Sequence, residues 1–244
     1  MWLVLCSSTD VPALWAYQGL SRLGFGPLEL VLTDGLARAS HWEHRLDARG
    51  IHLNLTLADG RVIDASQIRG AVNRVLFPST ITQWAASPDW DYVQAELHAF
   101  YLSWLNSLPG VVLNRPTATG LCGSWLHASE WALRAGRAGL TTRCYQQAAE
   151  RSPEHCGMPP AADATVRRVI AFHGQVFGSP VPPAVANGCT KLAQDVETAL
   201  LGIDFQVDPR GEWIFSNASP CPDLSLGGMP LLRSVAQVLQ EARP

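Results

Sequence analysis

The tightest constraint on the fold stands at the N-terminus. Residues 2–6 (WLVLC) are consecutive apolar positions, ended by Ser-Ser-Thr-Asp. A segment with no polar face has to be covered on both sides, as the strands of a parallel sheet are. From Pro12 to Leu23, apolar residues recur at helical spacing (Leu14, Trp15, Ala16, Leu20 and Leu23) until Gly24 stops the pattern, and a second apolar run, LELVL, follows at 28–32. Strand, helix, strand in that order opens an α/β sheet.

The next segments extend this start. Residues 51–57 alternate apolar and polar, and Asp59-Gly60 turns them toward Val62 and Ile63, a hairpin signal. The spacing predicts a strand at 70–77, a helix at 90–107 ended by Leu-Pro-Gly, and a strand at 111–113 closed by Asn114-Arg115-Pro116. We place the end of an N-terminal domain there, at 1–116, and a second domain at 117–244. The second domain reads as a helix at 124–138 started by Ser124, a strand at 141–145 and a polar linker-like stretch at 146–163. After these come a hairpin at 166–177 around His173-Gly174, a helix at 190–201, a hairpin at 203–215 turning at Asp208-Pro-Arg-Gly211, and a last helix at 229–241.

Composition limits the partners. The chain has 244 residues, 47% hydrophobic and 16% charged, with a net charge of −3. It therefore folds, and it lacks the basic surface that nucleic-acid binding needs. No apolar run is long enough to span a bilayer, and the first residues lack the basic start of a signal peptide, so no membrane is expected and the expected location is cytoplasmic. Six scattered cysteines without a C-x-x-C pair read as reduced thiols, and the acceptor patterns at Asn54 and Asn217 carry no glycosylation in that compartment.

The order of segments resembles a known superfamily. The stretch from Tyr92 to Phe100, then Ser107-Leu-Pro-Gly-Val-Val-Leu-Asn114-Arg-Pro116, then Trp131-Ala-Leu-Arg-Ala135 with Gly139-Leu140, is similar to the ATP-grasp ligases. Within them it is most similar to ribosomal-protein glutamate ligases and to ATP-grasp maturases of ribosomal peptides. Val166-Arg-Arg168-Val-Ile resembles the arginine-bearing strand near the phosphates. The segment 202–215 resembles the acidic strand and hairpin that lead to the metal-binding E-x-N-P-x-P segment. The resemblance covers nearly the whole chain and implies an N-terminal α/β sheet domain followed by an α+β nucleotide-binding domain.

The departures from that pattern set the functional expectation. Aligning Pro220 and Pro222 on the two prolines leaves Asp204 as an acidic ligand but puts Asn217 where the glutamate belongs and Ser219 where the asparagine belongs. Magnesium among polyphosphate oxygens wants carboxylates, so this metal set is degenerate; Asp208, Glu212 and Asp223 are nearby acids outside the matching positions. Of 18 basic residues only Lys191 is a lysine, and the two nucleotide-gripping lysines have no counterpart: one position falls near Ala128, and Lys191 precedes a helix elsewhere. The stretch 146–163 is also too short for the covering lid. We therefore expect a reduced ATP-grasp-like domain in a non-catalytic protein, with no cofactor. It would bind a peptide, a small ligand or a partner protein, with self-association as one outcome. The second reading is an active ATP- and magnesium-dependent carboxylate–amine ligase with reassigned ligands.

Other residues offer further candidate sites. Arg74, Arg115 and Arg168 form the best anion- or carboxylate-binding set, with Asn114 and Ser124 beside them, because open α/β sheets bind at the carboxyl ends of their strands. Cys122 lies before a helix start, which supports a third and weaker reading, a thiol enzyme, although none of the seven histidines forms a readable triad with it. His41 and His44 lie in a helix-like stretch at i, i+3 with no third ligand in range and read as a solvated face. Of nine tryptophans, Trp84, Trp90, Trp104, Trp125 and Trp131 flank the domain junction, mostly as core, with some available to line a peptide-binding face.

Overall fold

The structure, a computed structural model, describes residues 1–48, 50–79, 88–143 and 164–241. It divides into two compact units, Met1–Gly123 with Leu232–Pro244, and Ser124–Leu231. The division falls beyond residue 116, and the last helix is split between the units, because its apolar face does not announce which core it joins.

In unit 1, β1 (Trp2–Cys6) is buried along its whole length, flanked in parallel by β2 (Leu28–Leu32) and β6 (Gly70–Asn73); β7 (Val111–Leu113) pairs with β6 on the outside. The all-apolar run thus sits at the centre of the sheet, where both faces are covered. Helix α1 (Val11–Arg22) buries Ala13, Ala16, Gly19 and Leu20, and Asp10 caps it by accepting from the Ala13 N–H at 3.1 Å. Gly19 is small for a reason, since a Cβ there would collide with the Leu232 side chain. After the short helix α2 (Thr33–Ala37), strands β3 (His41–Asp47), β4 (Gly50–Thr56) and β5 (Val62–Asp64) form a separate antiparallel sheet. Its inner face carries Trp42, Leu53, Leu55 and Ile63 into a core shared with Tyr101, Trp104 and Leu105 of α3 (Trp90–Ser107).

The His41–His44 stretch is therefore a strand. Its alternation is read in steps of two, so His41 faces solvent while His44 faces inward, and an i, i+3 pair falls on opposite faces. The predicted strand at 70–77 ends at Asn73, where side-chain hydrogen bonds replace the ladder.

Unit 2 contains α4 (Ala128–Arg137), β8 (Thr141–Thr142), β9 (Thr165–Phe172), β10 (Gln175–Gly178), α5 (Pro183–Asp195), β11 (Leu200–Val207), β12 (Trp213–Ser219) and the start of α6 (Gly228–Glu241). The sheet order is β10-β9-β11-β12-β8, antiparallel except for the β12–β8 pair. Ile203, Phe205, Val169 and Ala171 point from one face into a core with Trp131, Ala135 and Leu192.

Three sequence expectations shift here. Helix α5 begins at Pro183, whose ring favours a first helical position, and it stops before the 190–201 reading ends, because Leu200 and Leu201 belong to β11. Helix α4 starts at Ala128, with His127 rather than Ser124 as its cap. The strand predicted at 141–145 spans Thr141–Thr142 in the described residues; the linker-like stretch at 146–163 and Trp84 lie outside those residues. Among the described residues, no helix is long and apolar enough to cross a membrane.

Candidate functional site

Three neighbouring strands of unit 2 bring distant residues into one row. In the antiparallel register, Asp204 on β11 stands opposite Arg168 on β9 and opposite Asn217 on β12. Residues opposite one another in such a ladder share a face, so an arginine, a carboxylate and an amide line up across the sheet. Ser219, two residues beyond Asn217, stands opposite Gly202. A Cβ on Gly202 would come within 2.8 Å of the Pro222 Cβ, so its bareness lets the proline-containing turn close over the strand. A bulge after Asp204 leaves Ser216 as the extra residue of β12, and its hydroxyl donates to the Asp204 carbonyl at 3.1 Å.

The charges in the row are partly sheltered. Arg168 Nε lies 3.7 Å from Asp204 Oδ1, the guanidinium side chain 61% and the carboxylate side chain 37% exposed. Burial pushes the Asp204 carboxyl above its ordinary value, and the Arg168 charge opposes that shift without cancelling it. Two residues along β11, Gln206 accepts a hydrogen bond of 2.5 Å from Arg143 Nη2. These two residues escaped the sequence reading. Gln206 was legible as the alternate position after Asp204, whereas Arg143 reaches it only because β8 pairs beside β12.

The donor set supplies a single carboxylate, an amide and a hydroxyl, with a guanidinium beside the carboxylate. That is less negative charge than magnesium among phosphates calls for, and among the described residues no group of three or more His, Cys, Asp or Glu could hold a metal ion. Two of the nearby acids are occupied in turns. Asp208 accepts from the Arg210 and Glu212 N–H groups at 2.9 and 2.8 Å, and Asp223 caps the turn Leu224–Gly227 by accepting from the Ser225 N–H at 3.0 Å.

The other predicted residues have structural partners. Arg74, at the carboxyl end of β6 and 4% exposed, makes a two-point pair with Asp10 at 2.8 and 3.0 Å, tying the strand end to the start of α1. Arg115 donates to the carbonyls of Asn106 and Gly110 at 3.1 and 2.7 Å and holds the end of α3 against the entry to β7. Asn114 is buried with a φ of 58°, and its carbonyl accepts from Asn73 Nδ2 at 2.8 Å. Ser124 donates to the Val196 carbonyl at 3.1 Å. Cys122 is fully buried and its thiol donates to the Asn73 carbonyl at 3.1 Å. Trp104 and Trp131 are buried, and Trp125 is exposed.

Unit 2 also has a cavity of about 530 Å³ at the β9–β10 turn, lined among others by Phe172, His173, Thr190, Gln194, Glu197 and Thr198. None of the predicted site residues lines it.

No family profile matches the sequence, and no curated protein does. Solved structures do. The macrocyclase MdnC from Microcystis aeruginosa MRC, crystallised with precursor peptide MdnA, superposes with a TM-score of 0.73 at 14% identity, covering 99% of this chain and 100% of that one. A RiPP-associated ATP-grasp ligase from Chryseobacterium gregarium, in complex with ADP and a leader and core peptide, gives 0.73 at 10% identity over 100% of this chain and 97% of its own. The fold is that of the ATP-grasp ligases. The ATP-grasp ligase PsnB, complexed with a precursor variant, Mg and ADP, gives 0.71 at 12% identity and 98% coverage of each chain. On the ATP-grasp fold the mixed α/β architecture follows as expected, with the Arg168–Asp204–Asn217 row on the second unit's sheet.

Proposed function

We propose that this protein binds a peptide or a partner protein on an ATP-grasp scaffold that no longer runs magnesium-dependent acyl phosphate chemistry. The observation that carries the reading lies on β12: opposite Asp204 stands an uncharged amide, Asn217, and two residues further on, opposite Gly202, a hydroxyl, Ser219. Without their charge a nucleotide's phosphates gain little from a bridging cation, and Arg168 already offsets the one carboxylate. The peptide part rests on the structural neighbours, several of which are crystallised with precursor peptides. A role accessory to a peptide-modifying enzyme follows.

Titration calorimetry with Mg-ATP tests this reading. The expected result is no binding at sub-millimolar concentration and no hydrolysis. A micromolar dissociation constant overturns it in favour of the second reading, an active carboxylate–amine ligase. That reading is favoured by the retained Arg168–Asp204 pair and by neighbours that hold ADP and Mg. The double replacement Asn217→Glu with Ser219→Asn should raise affinity for Mg-ADP if charge is what the site lacks.

A further inference from the structure

Strand β3 ends its sheet: among the described residues it pairs with β4 on one side and with nothing on the other. An open edge offers a row of main-chain donors and acceptors to another strand. Its sequence, His41-Trp-Glu-His-Arg-Leu-Asp47, carries a charge order that reverses about its middle residue. We propose that two copies of this chain associate through β3, antiparallel and centred on His44, so that the two three-stranded sheets become one.

The register decides the matter. In an antiparallel pair, directly opposite residues lie on the same face, so only alignments that set outward residues against outward residues keep both inner faces inside. Centred on His44, Glu43 of each copy faces Arg45 of the other, His41 faces Asp47, and Trp42 faces Leu46. Centred on Glu43 or on Arg45, like charges meet at the axis, and in the latter case Glu43 also faces Asp47. Centred on Trp42 or on Leu46, only the ends of the strands overlap; the alignment centred on His44 alone pairs all seven residues and sets an acid against a basic residue at every outward position.

Two features of the lone chain fit that arrangement. Along β3, Glu43 meets His41 and Arg45 at 3.9 Å and Arg45 meets Asp47 at 3.6 Å, contacts that are long and exposed, while Asp47 also reaches His52 of β4 at 3.4 Å. Leu46, on the inward side of the alternation with Trp42 and His44, is nevertheless 59% exposed, and the second copy's Trp42 would cover it. Such an interface is isologous, each contact occurring twice, and this inference holds whether or not the protein binds nucleotide.

Sedimentation of the full chain over roughly 1–100 µM, the range in which a modest interface associates, reads it. The expected result is a monomer–dimer equilibrium. Glu43→Arg alone and Arg45→Glu alone each set like charges opposite one another twice and weaken the dimer on the order of tenfold or more. An equimolar mixture of the two variants recovers association, because one copy then presents two arginines to two glutamates. That recovery separates an interface from mere damage to the strand, which mixing cannot repair. A wild-type chain monomeric throughout the range, a dimer indifferent to either reversal, or a mixture that stays monomeric overturns the proposal.

Discussion

Asp204 shows how one residue in this protein carries opposing influences. Burial raises its carboxyl pKa and Arg168 lowers it, with burial the larger. A folded-state value above the unfolded one means that the folded chain holds the proton more tightly, so stability falls as pH rises through that interval. Asp204→Asn should therefore stabilise the fold at neutral pH, and the gain should vanish at a pH low enough to protonate the acid in both states. Urea unfolding at the two pH values checks the sign. A loss of stability at neutral pH would mean that the Arg168 pair outweighs burial. Arg74 is the contrasting case: its two-point contact with Asp10 is almost closed to water, and its chemistry is spent on joining β6 to α1.

At the scale of elements, the β9–β10 hairpin shows local chemistry agreeing with the fold. Its two turn residues, His173 and Gly174, have φ of 47° and 75°, the left-handed pair that matches the twist of the strands on either side. A β-branched residue pays more there than a histidine, and a glycine less. His173→Val should lower stability by about 1 kcal/mol and His173→Gly should raise it by a few tenths, as shifts of the denaturation midpoint. The β3 strand is the opposite case. Its two histidines at i, i+3 fit a helical face as well as a strand, and what settles the period is the apolar inner face that Trp42 shares with Tyr101 and Trp104.

At the scale of the whole molecule, the chain leaves unit 1 at Gly123 and returns to it within α6. Leu232, Val235 and Leu239 of that helix are each almost fully buried. A chain ending at Leu231 should lose amide protection in β1 and α1 while the β9–β11–β12 sheet keeps its own. Removal of three buried side chains costs several kcal/mol, and local stability follows local contacts. Hydrogen exchange followed segment by segment measures this. Equal loss in both units would contradict the division.

The elements with strong internal signals were legible from residues alone: the all-apolar β1, the helical period of α1 and α3, and the two turns of unit 2. Asp204 was singled out from its acidic strand, and Asn217 and Ser219 from the two prolines that follow them; that Asp204 and Asn217 stand opposite one another was not legible. Register was not legible. That Arg168 stands beside Asp204, that Arg143 reaches Gln206, and that Arg115 is drawn to the end of α3 depend on which strands and loops meet across long chain separations. Periodicity tells each strand which face to bury, but the neighbour it is buried beside is chosen by the packing of the whole unit. The same holds for α6, whose apolar face is plain in the sequence and whose division between two cores only the tertiary structure decides.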